Sequence, residues 1–188
     1  MLISSLLVIL GVICRVVPHP PNAVAMGAIA LYAGARLPRR WAWSIPVVAM
    51  LLADLFLDWG TNRPFLASSR WFIYAAFLPI ALMGRFAKNS SNPMRLAGLS
   101  ISASLWFFVV SNLGVWALDT MYPMTAAGLV ACFTAAIPYF GTGDYGFFAN
   151  GIVADLTGVG VLFGFDALVR TVRSRREAPV GAELVADH

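Results

Sequence analysis

A few ionisable or strongly polar side chains interrupt otherwise apolar stretches of this 188-residue chain: Arg15, Asp54, Asp58, Asn112, Asp155 and Asp166. A charge inside a hydrocarbon environment is costly, so such a residue is a functional candidate until a partner explains it. Asp54 and Asp58 are four apart and share one helix face. Arg15 paired with Asp54 or with Asp155 would neutralise two costly charges, and the sequence leaves both partners open. Such a pair either fixes helix register or belongs to a polar cluster lining an outward-facing cavity that holds a solute. Asp166 followed four residues later by Arg170 reads as a solvated or headgroup-level pair.

Other residue types add binding chemistry rather than catalysis. His19 stands among prolines in Pro18-His19-Pro20-Pro21-Asn22, suited to a loop hydrogen bond or to solute contact. Trp59, Trp71, Trp116, Tyr122 and Tyr139 fall near the ends of apolar segments, as an interfacial aromatic belt does. The same rings would also serve to close over an aromatic or heterocyclic ligand. Cys14 and Cys132 lie in apolar runs without paired or metal-ligand spacing and read as packing residues. The serine pairs lack a nucleophile-elbow context, and no histidine cluster or phosphate-binding loop occurs in the sequence. The expectation is a protein that is not an enzyme and needs no cofactor or metal. Two intramembrane acids leave one alternative, a membrane-embedded enzyme acting on a lipid or quinone-like substrate by acid–base chemistry.

The elements that must position these residues follow from composition. The chain is 60% hydrophobic and 12% charged, with mean hydropathy +0.78. Soluble domains carry about 25% charged residues, and a chain this short cannot cover so much apolar surface in a water-soluble core. The fold class expected is all-α, a polytopic membrane helical bundle. The net charge of +4 and pI near 9.5 sit in short clusters between apolar runs, which marks a cytoplasmic side rather than a nucleic-acid surface.

Apolar segments run over 2–17, 23–35, 41–58, 70–84, 95–118, 124–140 and 147–172. The first reads as a retained helix rather than a signal peptide, because no basic region precedes it. A spanning helix needs roughly 20 residues, so the count is six or seven. Six spans place Arg36, Arg39 and Arg40, then Arg85, Lys88 and Arg95, then Arg170, Arg173, Arg175 and Arg176 on one side with both termini. That matches the positive-inside tendency, with Met124–Phe140 a short interfacial or re-entrant helix on the outer side. The expected division is a transmembrane helical domain over 1–173 and a polar, disordered cytoplasmic tail over 174–188. Small residues at four-residue spacing, Ala23 and Gly27, Ala30 and Gly34, Gly160 and Gly164, favour close helix packing or docking of a partner subunit.

Four stretches carry a resemblance: Arg15 to Asn22 (Arg-Val-Val-Pro-His-Pro-Pro-Asn), Met50 to Leu57, Ser111 to Trp116, and Tyr122-Pro123 with Ala135 to Phe140. From about Arg15 to Gly164 the chain resembles a bacterial family of small membrane proteins, a domain of unknown function classed with transport proteins. Its layout is similar to the substrate-binding S components of energy-coupling factor transporters, which have six helices, both ends inside and a solute site under the outer loops. The family's Gly-Asp-Leu near the start of the last helix reads Ala154-Asp155-Leu156 here, and the first helix lacks the Ala-rich face by which S components meet their transmembrane partner.

The function expected is therefore a transport protein of the bacterial cytoplasmic membrane that binds a small solute between the outer halves of its helices. The binding residues expected are Arg15, His19, Asn22, Asp54, Asn112, Trp116, Tyr139 and Asp155. Partners implied are the lipid bilayer, a small-molecule solute, and a coupling membrane subunit with an ATPase module; an ion-coupled carrier using Asp54 or Asp155 is the variant. A non-transporting assembly protein is the other reading, and it expects fully paired polar groups and no outer cavity.

Overall fold

The computed structural model describes residues 2–61, 68–137 and 146–177. All regular structure among them is helical: α1 (Leu2–Val16), α2 (Met26–Arg36), α3 (Arg39–Ala42), α4 (Ser44–Asp58), α5 (Ser68–Met83), α6 (Pro93–Leu118), α7 (Ala126–Ala136) and α8 (Phe147–Glu177), with a 3-10 turn at Gly84–Ala87 after α5. Three stretches are long and apolar enough to cross a membrane: the nearly continuous Arg39–Asp58, Pro93–Leu118 and Phe147–Arg176.

An apolar core is present, but the surface is unlike that of a soluble protein. Buried positions include Asp54, Ser100, Ser104, Asn112, Asn150 and Asp155, while Leu2, Leu6, Ile13, Phe56, Val161 and Phe165 are exposed. Soluble chains do not leave so many large apolar side chains in water.

The hub is α2. Residues Met26–Leu31 and Ala33–Ala35 are all buried, and α2 packs against α1, α4, α5, α6 and α8. Its small residues permit this. A Cβ on Gly34 would sit 1.9 Å from the Ala81 carbonyl oxygen, and one on Gly84 would sit 2.2 Å from that of Leu31. These backbones touch, as the Ala30–Gly34 spacing leads one to expect. Gly160 and Gly164 differ: nothing lies within 4 Å of an added Cβ at either. Their spacing does not mark a close helix approach among the described residues.

Helix ends are set by local chemistry. Leu37 leaves α2 in an extended conformation (φ −100°, ψ 157°), as expected before Pro38. Asn92 caps α6 through its Oδ1, which accepts from the Met94 and Arg95 amides, with Pro93 in the first turn. Thr125 caps α7 by accepting from the Gly128 amide at 3.1 Å. At 11 residues, α7 is about 16 Å long, far short of the ~30 Å hydrocarbon core. At its other end the chain holds helix through Glu177, so α8 takes in the Ser174–Glu177 start of the expected tail. Arg175 and Arg176 in the last turn suit the negative end of the helix dipole.

Candidate functional site

The chain segment between α1 and α2 is pinned to the start of α8. Asn22 adopts a left-handed conformation (φ 61°), which asparagine tolerates better than most residues. Its Nδ2 donates to the Phe147 carbonyl at 3.0 Å, and Asn150 Nδ2 donates to the Pro21 carbonyl at 3.0 Å. The reciprocal pair places His19 and Asn22 beside the first turns of α8.

Arg15, at the end of α1, pairs with Asp54 of α4. Its Nε and Nη2 donate to Oδ1 at 3.0 and 2.6 Å. Tyr74 Oη donates to Oδ2 at 2.6 Å, and Arg70 stands 3.9 Å from Oδ2 while bonding Asp58. Two arginines and two aspartates thus form one compensated cluster, and the Asp54 side chain is 3% exposed. Of the two partners open to Arg15, the structure selects Asp54.

Asp155 has a different solution. Its Oδ1 accepts from the Ala28 amide at 3.0 Å and its Oδ2 from the Ser104 hydroxyl at 2.8 Å. Ala28 lies in the first turn of α2, and Ala25, which precedes that helix, offers no side-chain cap. Asp155 supplies the missing cap from α8, with its charge at the positive end of the α2 dipole. Gly27 makes this possible: a Cβ there would lie 2.4 Å from Asp155 Oδ2.

Between these two carboxylates lies a cavity of about 280 Å³. Arg15, His19, Asn22, Asn112 and Asp155 all line it, with Met50, Gly27, Ser104, Ser111 and five phenylalanines, Phe77, Phe107, Phe108, Phe147 and Phe148. Asn112 Nδ2 donates to the Phe108 carbonyl of its own helix at 2.7 Å, and the Cys132 thiol approaches its Oδ1 at 3.8 Å. His19 Nδ1 lies 2.8 Å from the Pro20 carbonyl oxygen. A carbonyl only accepts, so Nδ1 carries the proton and a neutral ring presents Nε2 as an acceptor.

The remaining expected residues fall outside the wall. Asp54 sits behind Arg15 and meets the cavity only through it. Trp116 is not part of the wall; its Nε1 donates to the Pro123 carbonyl at 3.0 Å, which holds the approach to α7. Tyr139 lies outside the described residues. Sequence reading missed the phenylalanines, Ser104 and Gly27. Phe107 and Phe108 stand about one turn before Asn112, and Phe147 and Phe148 about two turns before Asp155, so their spacing from those polar residues was the available signal.

The basic end of the bundle has its own cluster. Arg36 Nε donates to Asp166 Oδ2 at 2.9 Å, Arg170 stands 3.1 Å from the same oxygen, and Arg36 also donates to the Lys88 carbonyl. Asp166 is thus part of a partly buried network with Arg36, Arg170 and the Tyr32 hydroxyl, which donates to its Oδ1 at 3.4 Å, rather than a simple solvated pair, because Arg36 and Tyr32 reach it from α2. A cleft of about 500 Å³ opens there, where the Arg36 and Arg170 guanidiniums share the one Asp166 carboxylate.

The described residues hold no group of three or more His, Cys, Asp or Glu suited to a metal ion. No curated protein and no solved structure matches the chain. Residues 1–178 match a family of unknown function, DUF6580, and the chain belongs to that family.

Proposed function

We propose that this protein is a multi-pass protein of the bacterial cytoplasmic membrane that binds a small solute for transport, in the cavity between α1, α2, α4, α5, α6 and α8. The observation that carries this reading is the convergence of Arg15, His19, Asn22, Asn112 and Asp155, distant in sequence, on one mostly apolar cavity. Binding sites combine apolar walls with a few convergent polar groups in this way.

The topology goes with it. Arg36 meets Asp166 and the Lys88 carbonyl, and Arg85 Nη1 lies 3.4 and 3.3 Å from the Gly34 and Leu37 carbonyl oxygens. All three basic clusters therefore gather at one end, opposite the Arg15–Asp54 cluster. Under the positive-inside tendency that end is cytoplasmic. Six passes account for this common basic end, by α1, α2, the joined α3–α4, α5, α6 and α8, with α7, which equals α2 at 11 residues, assigned to the outer surface by charge and not by length, and both termini inside. A coupling subunit with an ATPase module would supply energy, as in the S-component layout.

A second reading has one observation in its favour. Asp54 and Asp155 are both fully engaged within the protein, as a non-transporting assembly protein requires. The cavity weighs against it.

Native mass spectrometry of the gently purified protein, with Ser111→Phe to fill the cavity and Trp116→Phe as a control outside it, tests the choice. A co-purified small molecule lost only in Ser111→Phe is the expected result. A ligand-free mass together with wild-type growth and stability of Ser111→Phe favours the assembly reading.

A further inference from the structure

The lining of the cavity restricts what it can hold. Five phenylalanines contribute to one wall system, and four of them form two ring pairs: Phe77 with Phe107, centroids 5.2 Å apart and 32° between planes, and Phe108 with Phe148, 4.5 Å apart and 53° between planes. Such rings present faces and edges to a flat guest and pair with it more favourably than with a saturated one of equal area.

Charge narrows the choice further. Arg15 is compensated by Asp54 at 2.6 Å. Asp155 is compensated by the α2 N-terminus, the Ala28 amide and the Ser104 hydroxyl. Arg15 is already paired and offers an anionic guest no free countercharge, and both Asp155 oxygens already accept hydrogen bonds, so an ionised guest would bring much of the desolvation cost of a buried charge. Polar capacity does remain. Arg15 spends Nε and Nη2 on Asp54, leaving Nη1 to donate. One Asn112 amide hydrogen is also uncommitted once Nδ2 has served the Phe108 carbonyl. At about 280 Å³ the space lies just below the ~300–1,000 Å³ of drug-sized pockets.

We infer that the cavity takes an uncharged, planar aromatic molecule of one or two fused rings, bearing a carbonyl-type acceptor directed at Arg15. This rests on the solute-binding reading above and specifies the chemical class of the solute. The phenylalanines supply shape and ring contact, and Arg15 Nη1 fixes orientation.

The test uses the full-length protein in mild detergent and three matched probes: quinolin-2-one (planar, neutral, with an amide carbonyl), its saturated analogue decahydroquinolin-2-one, and quinoline-2-carboxylate. Affinity is read by equilibrium dialysis and by the shift in thermal unfolding. Quinolin-2-one is expected to bind about tenfold more tightly than either comparison, and Phe108→Leu or Phe148→Leu to weaken it by a few-fold, in line with the worth of an aromatic pair. Leucine keeps the site apolar, and the wild-type comparison among probes stands even if a variant misfolds. Equal binding of the saturated analogue overturns planarity, and tighter binding of the carboxylate overturns neutrality. Failure of all three probes overturns the inference. If the native mass spectrum of the same preparation then shows an aliphatic or charged ligand in the cavity, the solute-binding reading survives it; a ligand-free spectrum takes both down.

Discussion

Two carboxylates are buried in this bundle to nearly the same depth, Asp54 at 2% and Asp155 at 6% exposure, and they are stabilised by different means. Asp54 is matched by whole charges, with Arg15 on one oxygen and Arg70 near the other, and by the Tyr74 hydroxyl. Asp155 has no cation among its hydrogen-bond partners, which are the Ala28 and Gly27 amides at a helix start and a serine hydroxyl. A helix N-terminus is worth about half an elementary charge. The first carboxylate is therefore locked to its partners by charge, whereas the second depends chiefly on hydrogen bonds and on a close fit. In membrane terms, Asp54 is an ion pair that staples α1 to α4, and Asp155 is a remote cap that staples α8 to α2.

Replacing Asp54 by asparagine probes the first arrangement and carries the largest expected effect. The amide is nearly isosteric, but the Arg15 guanidinium is left without its counter-charge beside α4. Breaking a buried pair by neutralising one partner costs about 3–5 kcal/mol, toward the lower end here because the Arg15 side chain is 29% exposed. Equilibrium unfolding in mixed micelles measures it. A loss under about 1 kcal/mol would mean that Tyr74 and Arg70, rather than charge pairing with Arg15, hold this region.

Gly27→Ala probes the fit around the second carboxylate. The added Cβ would lie 2.4 Å from Asp155 Oδ2 and 2.8 Å from its Cγ, so α2 and α8 must separate or the carboxylate must leave the Ala28 amide. Overpacking of this kind costs about 1–3 kcal/mol. Gly160→Ala, where an added Cβ meets nothing within 4 Å, is the matched control. It is expected to be neutral or stabilising by up to ~1 kcal/mol through helix propensity. Equal destabilisation by both would remove the special role of Gly27.

The comparison also shows why part of the site was legible in the sequence. A charge in an apolar run stands out by type alone, so Arg15, Asp54 and Asp155 were found. The all-helical class and the short α7 followed from hydropathy and length. What the sequence left open was which acid Arg15 meets, because Asp54 lies 39 residues away and no local rule ranks it against Asp155. The cap on α2 was equally hidden. Capping signals are local patterns at a helix start, and this cap comes from 127 residues away. The phenylalanines were lost for the opposite reason: among thirteen in the chain, an apolar ring in a membrane helix is unremarkable until the packing shows which rings share a cavity. Trp116 misled because an indole at a helix end fits a binding role as well as the loop bond it makes to Pro123.

Removing the Ser104 hydroxyl tests whether Asp155 needs its second bond. Ser104→Ala leaves Oδ2 without that donor, while Oδ1 keeps the Ala28 amide. Deleting a hydrogen bond to a charged group costs about 1.5–3 kcal/mol, and the lower end is expected because the α2 dipole remains in place. A change within a few tenths would show that the cap alone carries the carboxylate.

Asp155→Asn is expected to have the smallest effect, and it is the sharpest contrast with Asp54→Asn. The asparagine Oδ1 can still accept from the Ala28 amide. Its Nδ2 then faces Ser104, whose hydroxyl can turn to accept, since a second acceptor for its own proton, the Ser100 carbonyl, stands 3.1 Å away. The bonds to the Ala28 amide and to Ser104 are thereby replaced, and what is lost is the attraction of a full negative charge to the helix terminus. That term is typically about 0.3–1 kcal/mol and reaches ~2 in partly buried sites. The same isosteric change at the two acids should therefore differ by about 1–3 kcal/mol, given the lower end of the ~3–5 kcal/mol of a broken ion pair. Measured side by side in one micelle system, equal losses would show that the positive end of α2 compensates Asp155 as fully as Arg15 compensates Asp54.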